Sequence, residues 1–492
     1  MEIFENDYAK LRKGWFFRTV LLLCSLIFVY FALVSATPLF PVLRLNEHLK
    51  NASLLLEKES EYFMLFEQMP PMDNHGEANV LNIVGTLNPR EPIRSAMRMG
   101  VSYTPDGFVT EQIYTTQGLK NFVEGKATET WSYGRYWHGH VVLLRPLLSV
   151  MALADIRKLY FFVLMMLFSA AIFLLVRRTD WIVALAFTAS MLLGGFPVLA
   201  FSLNYVAPFI ISLVSMCVIF HWNIRDEERL VQLFLLSGSL TAFFDLLTAP
   251  LITFTFPLLA LMFVDLEIGS FRWDWRYVKR LILFGVVWSA GYLLTWGAKW
   301  ILADAILGEW FVLRDAVNRV LQRSGSGTTF FNRMYPIALN IYAIMPFSVI
   351  SSGEGKGPVI YAIIQRVAET EGSLPGKLVL MIKEIAPILP SSILLGLVVT
   401  TLVLTVYLIA IVSLAIDSKK RRPIGALGYF SLAFLFLIPY FWYIATAGHS
   451  VIHYITYRNQ IPSLWLFLIL PHIMKKKEVR DTLDRTLNDD FI

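Results

Sequence analysis

Apolar residues in this chain gather into long uninterrupted blocks. An apolar stretch of about 18 residues or more is long enough to cross the hydrocarbon core of a bilayer as a helix. Such stretches recur about ten times, near 17–37, 159–176, 181–201, 206–222, 230–248, 250–266, 280–302, 387–415, 424–446 and 459–474. Two long polar stretches interrupt them. The pattern predicts an all-α polytopic membrane protein with about ten transmembrane helices and two long loops. Its parts are an N-terminus and first span (1–37), a large loop with interfacial helices (38–158), spans two to seven (159–302), a second loop with amphipathic or re-entrant helices (303–386), three last spans (387–474) and a tail (475–492).

Lysine and arginine orient this arrangement. Lys10 to Lys13, Arg177-Arg178, Arg225 to Arg229, Arg272 to Arg280, Lys419 to Arg422 and Lys475 to Lys477 all fall on one side. By the positive-inside rule that side is the cytoplasm. The expectation is a multi-pass plasma-membrane protein with both termini cytoplasmic and both long loops outside. The first span is long for a signal h-region, and its small-residue stretch runs directly into Pro38, so it reads as a retained helix.

Composition agrees. Hydrophobic residues make up 56% and charged residues 16% of the 492 positions, against about 25% charged in a soluble domain. The net charge of +6 does not point to nucleic acid, because the basic residues sit in short clusters beside apolar spans. Both cysteines, Cys24 and Cys217, lie within predicted spans, so no disulfide framework or cysteine metal site is expected. Packing and the membrane must hold the large loop.

The polar residues that could carry chemistry are few. Asp73, in Met72-Asp73-Asn74-His75-Gly76-Glu77, could act as a general base or hold a divalent cation (Mg or Mn); equally, it could cap a helix starting nearby. Tyr133 to His140 packs Arg135, Tyr136, Trp137, His138 and His140 into eight positions. Rings that stack on sugars and an arginine that grips phosphate suit a phosphosugar site, although an interfacial aromatic belt has the same composition. His138 and His140 could also bind metal. Asp245 and Lys299 fall inside spans, where an ionisable group is a functional candidate by default, or each is the other's structural partner. His449 and His453 are four apart, one face of a helix, and Arg458 follows; together they could cradle an anion. In the second loop, Arg314, Asp315, Arg319 and Arg323 are spaced as on one helix face, ahead of an apolar patch from Tyr335 to Ile350 and a glycine-rich stretch from Ser351 to Gly357. Under the one topology Asp73, Arg135, His138, Asp245, Lys299, His449, His453 and Arg458 all map to the outer leaflet.

A first span, a long outer loop bearing an acid and many further spans resemble the polytopic glycosyltransferases called GT-C. The strings Met72-Asp73-Asn74, Tyr133 to Gly139, Phe243-Phe244-Asp245-Leu246-Leu247-Thr248 and His449 to Arg458 also resemble a group of integral membrane proteins from polysaccharide loci of Gram-positive bacteria, a group that brings no established activity with it. The GT-C resemblance implies a polyprenyl-phosphate sugar donor, a glycan acceptor and a catalytic acid, for which Asp73 is the matching position. Here that acid stands about 36 residues past the first span rather than close behind it. The expected function is transfer of a sugar to a cell-wall or surface glycan, with Arg135, His449, His453 and Arg458 on the donor phosphate and Tyr136 and Trp137 on sugar. A flippase for a lipid-linked glycan and a polysaccharide polymerase are the alternatives; the polymerase would depend on Arg314, Arg319 and Arg323 instead.

Overall fold

The computed structural model describes residues 2–40, 44–63, 72–105, 116–267, 275–308, 310–325, 372–385, 426–452 and 454–473, with isolated positions between 333 and 370. The expected eighth span (387–415), the glycine-rich stretch, most of the Tyr335–Ile350 patch, His453 and the tail from 475 lie outside the described residues. The fold is predominantly helical. Three helices are long and apolar enough to cross a membrane: Gly14–Leu39, Leu153–Arg178 and Trp275–Leu307. Their outward faces carry exposed Phe16, Phe28, Phe162, Met166 and Ile301, an apolar surface of the kind lipid covers.

Shorter apolar helices stand at other expected spans, namely Trp181–Leu193, Val206–Trp222, Ile252–Leu266 and Ser431–Ala445. Two expected spans are interrupted. The stretch 181–201 breaks at Gly194-Gly195, where Gly195 takes φ +78°, and resumes as the short helix Phe196–Leu199. The stretch 230–248 stops being helical after Phe244, because Asp245 turns its carboxylate back onto the Thr248 amide (3.0 Å). An irregular turn with Pro250 follows.

The large loop is a folded unit. After α1 (Glu2–Ala36) it contains α2 (Leu45–Glu59), α3 (Asn74–Thr86), α4 (Pro92–Arg98), α5 (Thr116–Val123) and α6 (Val141–Val150). Two antiparallel ribbons join them, β1 (Tyr62–Phe63) with β2 (Met72–Asp73) and β3 (Gly100–Tyr103) with β4 (Glu129–Ser132). Leu49, Leu56, Leu81, Val84, Met97, Trp137 and Leu144 form its core, which continues into Tyr30 and Val34 of α1. Both cysteines, Cys24 and Cys217, are free.

The helices beyond the loop follow as α7 (Leu153–Arg178), α8 (Trp181–Leu193), α9 (Val206–Trp222), α10 (Glu227–Phe244), α11 (Ile252–Glu267) and α12 (Trp275–Leu307). Their core is aromatic and aliphatic, including Phe187, Phe209, Phe256, Phe284 and Trp465. α10 and α12 touch backbone to backbone. A Cβ on Gly238 would lie 2.1 Å from the Trp288 carbonyl oxygen, and one on Gly291 would lie 2.4 Å from that of Leu235. Small residues at both crossing points allow this approach, and the Ser239 and Thr295 hydroxyls bond across it at 2.8 Å.

One buried cluster ties the loop to α7 and to the chain before α9. Arg157 on α7 donates from Nε and one terminal nitrogen to Glu77 Oε2 (3.1 and 2.8 Å), and from the other nitrogen to both Glu59 oxygens (2.9 Å each). It also bonds Asn74 Oδ1 at 3.0 Å. Glu77 Oε1 accepts the Leu203 amide at 2.9 Å, and Asn74 donates to Glu59 and to the Ser60 carbonyl. Glu77 has no exposed surface. Replacing Arg157 by Leu should strand Glu77 without a cation and destabilise the fold by about 3–5 kcal/mol. Thermal unfolding in detergent measures this, and a loss below about 1 kcal/mol, the worth of an exposed pair, would contradict the assignment.

Candidate functional site

Where α3 begins, Asp73 is the N-cap, and its Oδ1 accepts the Gly76 amide at 2.9 Å. It thus performs the capping role, and it also lines a cavity of about 290 Å³. Beside it on the α3 side are His75, Gly76 and Asn79, with Asn204 from the turn before α9. Gly76 is required there, since a Cβ would lie 2.4 Å from Asn204 Nδ2 and 2.9 Å from Asp73 Oδ2. His75 faces Glu61 at 3.4 Å. Burial raises the Glu61 carboxyl, but the bonds from His75 and Thr116 outweigh it and hold the group below its usual value.

α13 (Phe311–Arg323) contributes Arg319, Gln322 and Arg323 to the same cavity. Asp304, at the end of α12, sets its direction by accepting the Val312 and Leu313 amides at 2.8 and 2.9 Å. Arg135 adds a third guanidinium. It pairs with Asp315 at 2.8 Å, lies over the Tyr133 ring at 4.4 Å and is only 4% exposed. Its position is set by its backbone, because the indole N–H groups of Trp296 and Trp300 both donate to the Arg135 carbonyl (2.7 and 2.9 Å).

The turn after α10 supplies Leu246, Leu247 and Thr248, and His449 reaches the cavity from α15 (Ala447–Ile452), just beyond α14 (Ala426–Ala445). Leu247 is left-handed, with φ +67°, and its carbonyl bonds His449 Nε2 at 3.0 Å. A branched residue in that region is strained by roughly 1–2 kcal/mol, and such strain concentrates at functional sites.

A second, mainly apolar cavity of about 230 Å³ adjoins the first. Trp288, Tyr292, Trp296, Val320 and Trp442 line it, and it shares Leu247, Arg323 and His449 with the polar one. Arg323 and His449 therefore stand at the junction.

Of the residues singled out in the sequence, Asp73, Arg135, Arg319, Arg323 and His449 meet at the polar cavity. Tyr136 stands behind it, stacked on Trp296 with centroids 5.7 Å apart and bonded through its hydroxyl to Arg323. Trp137 is fully buried, its indole N–H on the Thr295 carbonyl (2.7 Å), so its ring has no open face for a sugar. Lys299 and Asp245 are not each other's partners. Lys299 donates to the Ala96 and Met97 carbonyls at the end of α4 (3.0 and 3.2 Å), a favourable place for a cation. Asp245 is buried beneath the Leu246–Thr248 wall. Arg458 lies away from the cavity lining, buried over the Tyr205 ring at 3.7 Å.

Among the described residues no group of three or more His, Cys, Asp or Glu side chains is placed to hold a metal ion. Asp73 has one oxygen committed to its helix, and among the described residues His138 and His140 belong to no group of three such donors. The donor set therefore does not fit the divalent cation considered from the sequence, and no step below uses one. The polar residues that sequence reasoning did not single out include Asn79, Asn204 and Gln322; each is an uncharged carboxamide with no motif of its own. Comparison with family models, curated proteins and solved structures gave no match for this chain.

His138 and His140 are enclosed between Tyr133, Tyr136 and the end of α10. Burial pushes the His140 imidazole down to about 4. Burial, and then the neighbouring His140, hold His138 well below its usual value. In an unfolded chain both titrate near 6.5, so between about pH 6.5 and 4 the unfolded state binds more protons. Stability should be constant above that window and fall as the pH drops through it, by about 3 kcal/mol for His140 alone. In a pH series of thermal unfolding, His140→Gln should lose less stability than the parent protein over that window; parallel losses would show that His140 is not buried as a neutral ring.

Proposed function

We propose that this protein is a membrane glycosyltransferase that moves a sugar from a polyprenyl-phosphate-linked donor to an extracellular cell-wall or surface glycan. The reading includes a GT-C-like architecture of about ten spans, both termini in the cytoplasm and the polar cavity on the outer side of the plasma membrane. The carrying observation is the joining, at one small cavity, of the Asp73 carboxylate with Arg135, Arg319 and Arg323, beside an aromatic apolar groove. A lipid phosphate needs cations for its head and an apolar path for its chain, with the two adjoining. Arginine suits the first because its planar fork matches phosphate oxygens. The groove along α12 and α14 suits the second.

In the proposed reaction the acceptor hydroxyl oxygen attacks the anomeric carbon of the donor sugar. Asp73 takes the hydroxyl proton on the oxygen that does not cap α3. The bond from the anomeric carbon to phosphate oxygen breaks, and its electron pair leaves on the polyprenyl phosphate. Arg135, Arg319 and Arg323 stabilise that charge, with His449 beside them. Tyr136, Trp137, His138, Asp245, Lys299 and Arg458 act from behind the walls by fixing the segments that carry these groups.

A polymerase, another outward-facing glycosyl transfer enzyme, draws support from the same arginines, because Arg319 and Arg323 come from the second long loop. The two readings differ in their dependence on Asp73. Asp73→Asn should lower transfer by about 10²–10⁴-fold, the usual contribution of a general base, with the protein still inserted and folded. Arg319→Ala and Arg323→Ala should each lower it by about 10²–10³-fold. Full activity in the Asp73 variant combined with loss in the arginine variants would favour the polymerase. The substrate test compares wall polysaccharide and lipid-linked sugars by mass spectrometry in a deletion strain carrying either wild type or Asp73→Asn. A missing sugar branch and accumulated polyprenyl-phosphate sugar, restored only by wild type, is expected; unchanged glycans in the deletion strain would contradict the transferase.

A further inference from the structure

The α3 side of the polar cavity differs in chemistry from the α13 side. The α13 side offers guanidinium donors from Arg319 and Arg323. The α3 side offers Asp73 and two carboxamides, Asn79 and Asn204, which are 6% and 8% exposed. Among the described residues neither polar atom of the Asn204 side chain meets a hydrogen-bond partner, and the same holds for Asn79 Oδ1. Buried polar groups are nearly always satisfied, so those left open at a cavity call for an explanation. They are also specific about what can fill them. The phosphodiester of a lipid-linked sugar carries no O–H, so it only accepts hydrogen bonds and cannot satisfy a carboxamide oxygen. A hydroxyl both donates and accepts, and so matches each carboxamide. Turning either carboxamide over changes which atom leads but still leaves an acceptor to be filled. Asp73 Oδ2 lies in the same corner, above Gly76, and asks for a donor as well.

We infer that Asn79 and Asn204 form a sugar-hydroxyl subsite that selects the glycosyl group of the donor and holds it with its phosphate toward the arginines of α13. The inference rests on the glycosyl-phosphate reading and adds to it the class of group recognised: a neutral monosaccharide ring bearing free hydroxyls. The volume of about 290 Å³ is at the small end of ligand pockets, roughly 300–1,000 Å³, and suits one ring rather than an oligosaccharide. Gly76 is the enabling position, since any side chain there would push Asn204 out of the corner it shares with Asp73.

The test uses the full-length protein in nanodiscs and ligand-observed NMR titration with four probes: inorganic phosphate and the 1-phosphates of glucose, galactose and mannose. At least one hexose phosphate should bind wild type about tenfold or more tighter than phosphate, the gain expected from one or two added hydrogen bonds. Asn204→Leu and Asn79→Leu should each remove most of that advantage while phosphate binds as before. Their melting temperatures should hold or rise, because a buried unpartnered carboxamide is replaced by an apolar group of similar size. Asn204→Ser, which supplies a smaller group that both donates and accepts, should retain part of the advantage. Phosphate binding with no hexose advantage, or an advantage that survives both leucine variants, would overturn the subsite and leave the arginine site standing. Wild type that binds none of the four probes would overturn both the subsite and the glycosyl-phosphate reading beneath it.

Discussion

The α3 side of the polar cavity depends on the buried ion cluster around Arg157. A guanidinium with two carboxylates, one of them without solvent exposure, is costly to bury unless its hydrogen bonds are met. Here they are met from four segments: α2 through Glu59, α3 through Asn74 and Glu77, α7 through Arg157 and the chain before α9 through the Leu203 amide. Because a half-satisfied cluster is so unfavourable, these segments are held in one mutual arrangement. Asp73 precedes Asn74, and Asn204 follows Leu203. The cluster thus fixes both flanks of the α3 side of the cavity without contributing a side chain to its surface.

The α13 side is built by different means. Asp304 fixes the start of the helix that bears Arg319 and Arg323, and two tryptophans on α12 hold the backbone of Arg135. α12 itself is registered against α10 by the Gly238 and Gly291 contacts, which also places the strained turn at Leu247. Acceptors thus come from the folded loop, guanidinium donors from the segment after α12 and from Arg135, and apolar rings from the helices. That division matches the parts of a lipid-linked sugar phosphate: ring, phosphate and chain.

Block hydropathy located the three helices long and apolar enough to cross a membrane and several shorter apolar ones, because length and apolar content are local properties. It failed where local chemistry ends a helix within an apolar stretch, at Gly194-Gly195 and at Asp245. The site was partly legible. Asp73, Arg135 and His449 stood out as polar residues in apolar surroundings, and all three reach the cavity. Trp137 and Lys299 stood out for the same reason, yet tertiary packing uses them inside the fold. Asn79 and Asn204 gave no signal, since an asparagine is ordinary in any polar stretch. Their significance comes from lining one cavity with buried polar atoms that meet no partner among the described residues, and only the folded structure reveals that.

The central claim is that a single cavity holds a lipid phosphate by Arg135, Arg319 and Arg323, with Asp73 facing the sugar. The most direct measurement is a cryo-EM map of the protein in nanodiscs with added undecaprenyl phosphate. The account predicts phosphate density against those three guanidinium groups, Asp73 in the same cavity, and chain density along Trp288, Tyr292 and Trp442. Phosphate density elsewhere, or the three arginines separated from Asp73, would contradict it.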